Sequence, residues 1–359
     1  MAVFSFVVSD LYGGGAQRVL LNTADALRQR GHQVTVYLLR DKIEHDVPEG
    51  LKLVNLRAIN RFTKLFRTVL TEKWQAARIK RALLDNPSDV IISCSCDRIV
   101  RHIDDLNIFY WVHSNLTGSS ESKKQRNKIV KKWSRIYSAK EVIAVSQGVA
   151  DDLVKNIGLR AQNVRVIMNP IDQESITSLA NEEIATIDEL PDSFYVHVGR
   201  LEHRKRHDWL LEGFSKSRIN SSLVLLGDGS AEDFQRVREL VSQYDLTKKV
   251  VLYGFHRNPY PIIKRARALL LTSEREGLPT VLIESLMLGT SCISFDCPNG
   301  PREIMEGWLD EWLLPLGDTD SLASALQRFE SSQSYVPDNV VHRFLPNKVV
   351  REFEGLISG

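Results

Sequence analysis

The chain has 359 residues, more than one compact hydrophobic core usually holds, so we expect two domains. Its 43% hydrophobic and 26% charged residues exclude a disordered or fibrous protein. The net charge of +2 conceals an asymmetry, because residues 1–170 carry 27 Lys and Arg against 16 Asp and Glu, whereas the remainder carries 20 against 29. Much of the positive charge lies in residues 57–81 and 123–140.

The N-terminal sequence and the cysteines indicate a cytoplasmic protein. No basic residue precedes the apolar run at Val3, and nowhere are 18 consecutive residues apolar, so we predict neither a signal peptide nor a membrane-spanning helix. The four cysteines form no C-x-x-C pair and have no histidine at zinc-finger spacing, which favours reduced, buried thiols. They are Cys94, Cys96, Cys292 and Cys297.

Short β-branched runs alternate with helical patterns along the whole chain, which is typical of parallel sheets covered by helices on both faces. The apolar pattern is lost between Asn169 and Ser193, as expected for an interdomain connection. We therefore predict an N-terminal domain at 1–170, a C-terminal domain at 171–340 and a closing helix in 341–359. The predicted strands are 3–8, 34–39, 51–56, 90–93, 108–112, 141–145 and 164–168, then 194–198, 223–226, 250–253, 268–271 and 291–295.

Both basic segments also carry apolar residues at helical spacing, so both are predicted to be amphipathic helices. Further helices are predicted at 209–214, 279–288, 322–329 and 347–357. The apolar positions of the basic segments are Phe62, Leu65, Phe66, Val69 and Leu70 in the first, and Ile129, Trp133, Ile136 and Tyr137 in the second.

A glycine-rich turn, residues 13–18, follows the first strand and opens a helix whose N-terminal amides could meet an anion. Arg18 replaces the third glycine of the G-x-G-x-x-G dinucleotide fingerprint, which removes the main support for a nicotinamide site, although Asp41 after the second strand still favours one. By itself the segment fits a plain tight turn as well as a ligand contact.

Two further loops carry charged residues at predicted strand ends, where ligands bind in doubly wound sheets. Arg200 and Lys205 bracket a loop that leads into a helix, which suits a diphosphate, with a solvated charged loop as the alternative. Glu276 is predicted in a turn after the strand at 268–271, and Glu284 two turns into the following helix. Their spacing of eight residues is close to a whole number of helical turns, so both can face one cleft. Without reference to any family, such a pair is as often ordinary helix charge.

Four segments together resemble the retaining glycosyltransferases of family 4, which have the GT-B fold: two Rossmann-like, doubly wound α/β domains facing a central cleft. The similarity runs through nearly the whole chain in the expected order. The segments are the E-x7-E element at 276–284, the G-R-L-x-x-x-K element at 199–205, the Gly-Gly-Ala turn at 14–16 and the C-P-N-G-P-R-E-I sequence at 297–304.

The resemblance implies a donor site shared by the two domains. Arg200 and Lys205 would hold the donor diphosphate, and Glu276 would contact the transferred sugar. Glu284 would bind the ribose hydroxyls, and His113, at the end of a first-domain strand, would touch the donor sugar. Glu276, His113, Arg200 and Lys205 are thus the expected catalytic residues.

Other positions match donor-binding elements of the family. Gly14 and Gly15 would approach the donor from the first domain, and the backbone of Gly277, Leu278, Pro279 and Thr280 would support the phosphates. Phe255, within Gly254-Phe255-His256, is expected to border the base. Two residues depart from the family, Gln17 where many members carry Glu and Arg206 where many carry Gly.

The implied activity is that of a retaining hexosyltransferase, class 2.4.1. It would move a hexose or N-acetylhexosamine from a nucleotide sugar, most simply a UDP-sugar, to a lipid-linked or polysaccharide acceptor in bacterial cell-surface glycan synthesis, such as that of lipopolysaccharide. Front-face attack, with the donor phosphate helping to accept the acceptor's proton, needs no carboxylate base, so Glu276 is expected to position and stabilise. The alternatives are a nucleotide-sugar epimerase or hydrolase of the same fold. A nucleic-acid-binding protein is disfavoured because the acidic second half would repel a phosphate backbone.

No metal and no cofactor are predicted, since the nucleotide sugar is a substrate. Asp318-Thr319-Asp320 has the spelling of the Asp-x-Asp motif that holds a cation on donor phosphates. It immediately precedes a predicted helix, so we assign Asp320 as an N-cap instead.

The basic first domain is predicted to dock on the anionic inner face of the cytoplasmic membrane, where it would meet a lipid-linked acceptor. A solvated basic face, or a docking site for an acidic acceptor, is the alternative. The residues that motivate this prediction are Lys123, Lys124, Arg126, Lys128, Lys131 and Lys132, on one helix beside Trp133.

Overall fold

The computed structural model describes residues 1–60, 63, 68–117, 122–184, 189–307, 309–331, 336–337 and 339–357. The chain divides into two compact units, Met1–Ile171 with Phe344–Gly359, and Asp172–Arg343. Each unit is built on one parallel sheet. Within the described ranges, every helix is too short or too polar to cross a bilayer.

The first unit contains a seven-stranded sheet. Its strands are β1 (Val3–Val8), β2 (Gln33–Leu38), β3 (Lys52–Asn55), β4 (Val90–Cys94), β5 (Ile108–Val112), β6 (Glu141–Ala144) and β7 (Val164–Val166). They lie in the order β3-β2-β1-β4-β5-β6-β7, so the winding direction reverses between β1 and β4. All residues of β4 and β5 are buried, which is why these strands consist mostly of apolar residues.

The second unit contains a six-stranded sheet with the same kind of winding. Its strands are β8 (Phe194–Val198), β9 (Ser222–Leu226), β10 (Val250–Gly254), β11 (Ala268–Leu271), β12 (Ser291–Phe295) and β13 (Leu313–Leu314). The order is β10-β9-β8-β11-β12-β13, with the reversal between β8 and β11. In sheets wound this way, ligands bind at the carboxyl ends of the strands beside the reversal.

Helices connect most of the strands. In chain order they are α1 (Gly15–Gln29), α2 (Val69–Asp85), α3 (Asp97–Val100), α4 (Lys123–Tyr137), α5 (Gln147–Asp151), α6 (Gln173–Leu179), α7 (His207–Ser217), α8 (Ala231–Gln243), α9 (Tyr260–Arg265), α10 (Thr280–Met287), α11 (Pro301–Met305), α12 (Thr319–Glu330) and α13 (Pro346–Glu354). The last helix packs on the first unit, where Phe353 lies 5.2 Å from Trp111 and Glu354 bonds to Arg30 at 2.8 Å.

Every strand predicted from the sequence is present, with borders within two residues of those observed. The sequence analysis missed β13, a two-residue edge strand that is too short to show a period. In the first basic segment, Phe62, Leu65 and Phe66 lie outside the described residues. Val69 and Leu70 are exposed, so the apolar face predicted there is wrong for these two positions.

The reason is that α2 buries a different face, which includes a charged residue. Glu72 is buried because Arg98 and Arg101 contact its carboxylate at 2.5 and 3.1 Å. Ionic pairing can bring a glutamate into a helix interface that a hydrophobic pattern cannot reveal. The second basic helix, α4, is amphipathic as predicted, with Ile136 and Tyr137 buried.

Candidate active site

The loop between β8 and α7 places basic residues at the carboxyl end of a central strand. Gly199 follows the buried strand β8 directly, and the Arg200 side chain is exposed and pairs with Glu202 at 3.1 Å. Burial acts to raise the pKa of Glu202, but its contacts with Arg204 and Arg200 hold it below its usual value. Arg200 therefore lies at the sheet edge, within reach of solvent.

Arg206, the residue before α7, has a left-handed backbone with φ of 52°. Glycine adopts this conformation without strain, which accounts for the glycine that many family members carry here. In this chain the arginine is held on both sides. Its Nε donates to Asp208 at 2.9 Å, and its guanidinium lies 3.5 Å from the centre of the Trp209 ring.

Lys205 and Glu276 form the most buried ion pair of the loop. Lys205 Nζ lies 2.6 Å from Glu276 Oε1, and each side chain is only about one-tenth exposed. Arg204 Nη1 lies 3.8 Å from the other carboxylate oxygen. Burial acts to raise the pKa of Glu276, but attraction and a hydrogen bond from Lys205 outweigh it and hold this pKa below its usual value. The carboxylate is therefore ionised at neutral pH.

The Glu276 segment runs from β11 to α10. Glu276 precedes the helix, which begins at Thr280, and Glu284 lies in its second turn. This is the placement predicted from the sequence, with Glu276 in the turn after β11 and Glu284 in the helix. That both carboxylates face one cleft stays a prediction. The N-cap, Pro279, has no side chain that can accept a hydrogen bond from the first amides, and Leu278 is buried.

These residues meet at the reversal of the second sheet. Arg200 and Lys205 follow β8, Glu276 follows β11, and β8 and β11 are neighbours. The structure thus brings Lys205 and Glu276 into contact and places Arg200 beside them on the same loop. Cations, a carboxylate and a helix N-terminus at such an edge can bind a phosphorylated ligand that also carries hydroxyl groups.

In the first unit, Gly14 and Gly15 stand where α1 begins. Gly14 has φ of 74°, and a Cβ built on it would lie 2.9 Å from Gln17 Oε1. Gly15 has open space around it, with no atom within 4 Å of an added Cβ. The turn therefore leaves its backbone accessible, which is consistent both with a plain tight turn and with a ligand contact.

His113 follows β5 in the first unit. Its Nε2 lies 3.4 Å from Cys94 Sγ, and its ring centre lies 4.4 Å from that of Trp111. Burial lowers the pKa of His113 to about 3. The imidazole is therefore neutral at physiological pH, so it can contact a hydroxyl but cannot supply a positive charge.

Two other predictions concern Phe255 and the Asp-x-Asp sequence. Phe255, after β10, is 65% exposed, which leaves its ring free to stack on a flat ligand.

The N-cap of α12 is Asp318, which accepts a hydrogen bond from Ser321 N at 3.0 Å, whereas Asp320 pairs with Lys216 at 2.8 Å. The assignment of Asp320 as the cap was wrong, because the helix begins one turn earlier than its apolar pattern.

Sequence reasoning missed two contributors to this site. Arg204 contacts Glu276, a pairing between distant positions that sequence spacing cannot reveal. Gly227, after β9, lies so near Gly199 that an added Cβ would be 1.9 Å from its carbonyl oxygen. The close approach of Gly227 could have been inferred from the sequence, because Gly227-Asp228-Gly229 places two glycines at a strand end.

Two family models match the chain, and together they span most of it. The first, Glycosyltransferase Family 4, matches residues 13–175, and the second, Glycosyl transferases group 1, matches residues 182–343. The chain belongs to this glycosyltransferase family, and it is a transferase.

Relatives and solved structures agree with this assignment. The lipopolysaccharide 1,6-galactosyltransferase of Escherichia coli K12 is 27% identical over 90% of this chain and 87% of its own length. A Campylobacter jejuni N-acetylgalactosamine-N,N'-diacetylbacillosaminyl-diphospho-undecaprenol 4-alpha-N-acetylgalactosaminyltransferase is 26% identical over 85% and 83%. The crystal structure of Anabaena HepE with UDP and glucose has a TM-score of 0.80 at 17% identity and covers all of both chains. The fold is GT-B.

Proposed function

We propose that this glycosyltransferase moves a hexose or N-acetylhexosamine from a UDP-sugar to a lipid-linked or polysaccharide acceptor in bacterial surface-glycan synthesis. The observation that carries the proposal is the Lys205–Glu276 pair at the sheet reversal. We propose that the transfer retains the anomeric configuration, as the resemblance to the retaining glycosyltransferases implies. The relatives named above are glycosyltransferases, so no observation favours the epimerase or hydrolase.

The cations have a direct chemical role in this reaction. When the bond between the sugar and the diphosphate breaks, negative charge grows on the phosphate oxygens. Lys205 and Arg200 would stabilise that charge, together with the backbone amides that open α10. Because Lys205 is already fixed by Glu276, little reorganisation accompanies its contact with the leaving group.

Glu276 would act on the sugar. The bond cleavage leaves the sugar ring with positive character, and an ionised carboxylate nearby is favourable to it. The depressed pKa keeps Glu276 charged, so it would position the ring by accepting hydrogen bonds from hydroxyls. No nucleophilic role follows from this, and none is proposed.

The proposed nucleotide and acceptor are inferred from the proteins named above. HepE was crystallised with UDP and glucose, and the Campylobacter relative's name specifies an undecaprenol-linked substrate. We propose UDP as the carrier and Phe255 as a ring bordering its base. Glu284, partly buried in α10, would accept hydrogen bonds from the ribose.

The donor site is tested by nucleotide binding. Arg200→Ala and Glu284→Ala should each weaken binding of UDP about 10-fold or more, since one loses a charge-assisted phosphate contact and the other the ribose contact. Calorimetry with UDP and GDP measures this, with Arg238→Ala, an exposed arginine of α8, as the control. Unchanged affinity in both variants would remove the proposed site.

Activity should survive EDTA, because cations of the chain and helix amides meet the phosphate charge. Within the described residues, His, Cys, Asp and Glu form no group of three that could hold a metal ion. Transfer from the preferred UDP-sugar is measured before and after chelation. A rate that falls with EDTA and returns with Mg²⁺ or Mn²⁺ would contradict metal independence.

We also propose that α4 docks the first unit on an anionic membrane surface from the cytoplasmic side. Lys123, Lys124, Lys128, Lys131 and Lys132 are all exposed. Arg126, the sixth residue of the predicted cluster, is exposed as well, and its guanidinium bonds to Asn156 at 2.6 Å. Each lysine near an anionic surface contributes on the order of 1 kcal/mol, so five can hold the protein reversibly.

Vesicle sedimentation tests the docking. Binding should rise with the phosphatidylglycerol content of phosphatidylcholine vesicles and fall as salt increases. Replacing Lys124, Lys128 and Lys131 with Gln should remove most of it. Vesicle binding should stay unchanged in a control variant that neutralises three exposed residues of the second unit, Arg238, Lys248 and Arg328. Binding that survives the lysine substitutions, or is absent at low salt, would refute the docking while leaving the transferase activity intact.

A further inference from the structure

Asn299, in the loop after β12, has a backbone that is fixed against the Glu276 segment from both sides. On one side, Glu276 N donates to the carbonyl of Pro298 at 3.4 Å. On the other, a Cβ added to Gly300 would lie 2.4 Å from Pro279 Cδ and 3.0 Å from the carbonyl oxygen of Gly277. The loop therefore packs backbone to backbone on the segment that carries Glu276.

The conformation of Asn299 is also specific. Its φ is 70°, in the left-handed region, where asparagine is the least strained residue after glycine and aspartate is similarly tolerated. The structure thus holds an asparagine, rather than a glycine, in the loop whose backbone contacts the Glu276 segment.

The side-chain amide of Asn299 is an unpaired hydrogen-bond donor within the described part of the chain. Its Nδ2 is buried, and within the described part of the chain it has no hydrogen-bond partner. A buried polar atom left without a partner destabilises the fold, so an acceptor supplied by a ligand would relieve that penalty.

We propose that Asn299 is a specificity-determining residue that hydrogen-bonds a hydroxyl of the transferred sugar beside Glu276. This assignment rests on the proposed function. A hydroxyl both donates and accepts, as a carboxamide does, whereas the phosphates already have Lys205 and Arg200. A site built to pair with one hydroxyl discriminates against a sugar whose hydroxyl points elsewhere, because its own buried group is then unpaired.

Binding of UDP is compared with that of UDP-galactose, UDP-glucose and UDP-N-acetylglucosamine in wild type, Asn299→Gly and Asn299→Asp. Both replacements accept the left-handed backbone. The preferred UDP-sugar should bind about 10-fold or more weakly to both variants, while UDP itself changes less than about twofold. The preference between the epimers UDP-galactose and UDP-glucose should narrow. Asp245→Gly, an exposed position with φ of 55°, is the backbone control.

Equal losses for UDP and UDP-sugars in the Asn299 variants would mean a structural role and overturn the assignment. Unchanged affinity and preference would overturn it as well, while wild-type binding of the UDP-sugar leaves the proposed function standing. A wild-type protein that binds none of these nucleotides would refute the proposed function, and the assignment of Asn299 with it.

Discussion

Lys205→Met should lower the transfer rate by about 100- to 1,000-fold, the effect typical of removing one preorganised group that stabilises developing charge. The lysine is the least exposed cation of the β8–α7 loop and lies 2.6 Å from Glu276. Methionine keeps much of the aliphatic part of the side chain and removes its charge. The rate with the preferred UDP-sugar is the measurement.

The same substitution leaves Glu276 as a buried carboxylate whose main partner is gone. Breaking one side of a buried pair costs about 3–5 kcal/mol, although Arg204 at 3.8 Å offsets part of this loss. The double variant Lys205→Met with Glu276→Gln should recover stability in chemical denaturation without recovering activity. A stable but inactive double variant would show that the loss of activity is not a folding defect.

Lys216→Met is the matched control. Lys216 lies on α7 and pairs with Glu212 and Asp320, each at 2.8 Å, but it is exposed and away from the sheet reversal. Its loss should leave transfer within about twofold of wild type, as expected for a surface pair. A Lys205 variant that retains a third or more of the wild-type rate would contradict the role assigned to this lysine.

The sheets could be predicted from the sequence because buried parallel strands appear in it as short segments of mostly apolar residues. β1, β5 and β8 are mostly apolar segments at spacings that helices fill, and their borders were predicted without error. The two-residue strand β13 leaves no such record. Nor does the burial of Glu72, which depends on arginines more than twenty residues away.

The site could be predicted only in part, for the same reason. Strand ends and charged residues marked Arg200, Lys205 and Glu276 as candidates, and the resemblance supplied their roles. The pairing of Lys205 with Glu276 spans 71 residues and depends on which strands are neighbours in the sheet. The buried amide of Asn299 could not be found from the sequence either, since the burial of a single atom depends on how the folded chain packs around it.

Gly227→Ala should destabilise the protein by about 3 kcal/mol or more and weaken UDP binding together with it. An added Cβ would lie 1.9 Å from the carbonyl oxygen of Gly199 and 2.7 Å from its carbonyl carbon. Both contacts are with backbone, so no side-chain rotation relieves them. Either β9 or the segment that begins the Arg200 loop has to move, and chemical denaturation and calorimetry with UDP measure the two effects.

Gly254→Ala is the matched comparison, because Gly254 ends the adjacent strand β10 and its carbonyl accepts a hydrogen bond from Gly227 N at 2.9 Å. Gly254 has φ of 81°, but a Cβ there would meet no atom within 4 Å. The alanine variant should therefore be destabilised only by the strain of a left-handed alanine, about 1–2 kcal/mol, and should keep its affinity for UDP. The two glycines thus separate backbone strain from close approach. If Gly227→Ala were as stable as Gly254→Ala and bound UDP normally, the packing of β9 against Gly199 could not be what fixes the Arg200 loop.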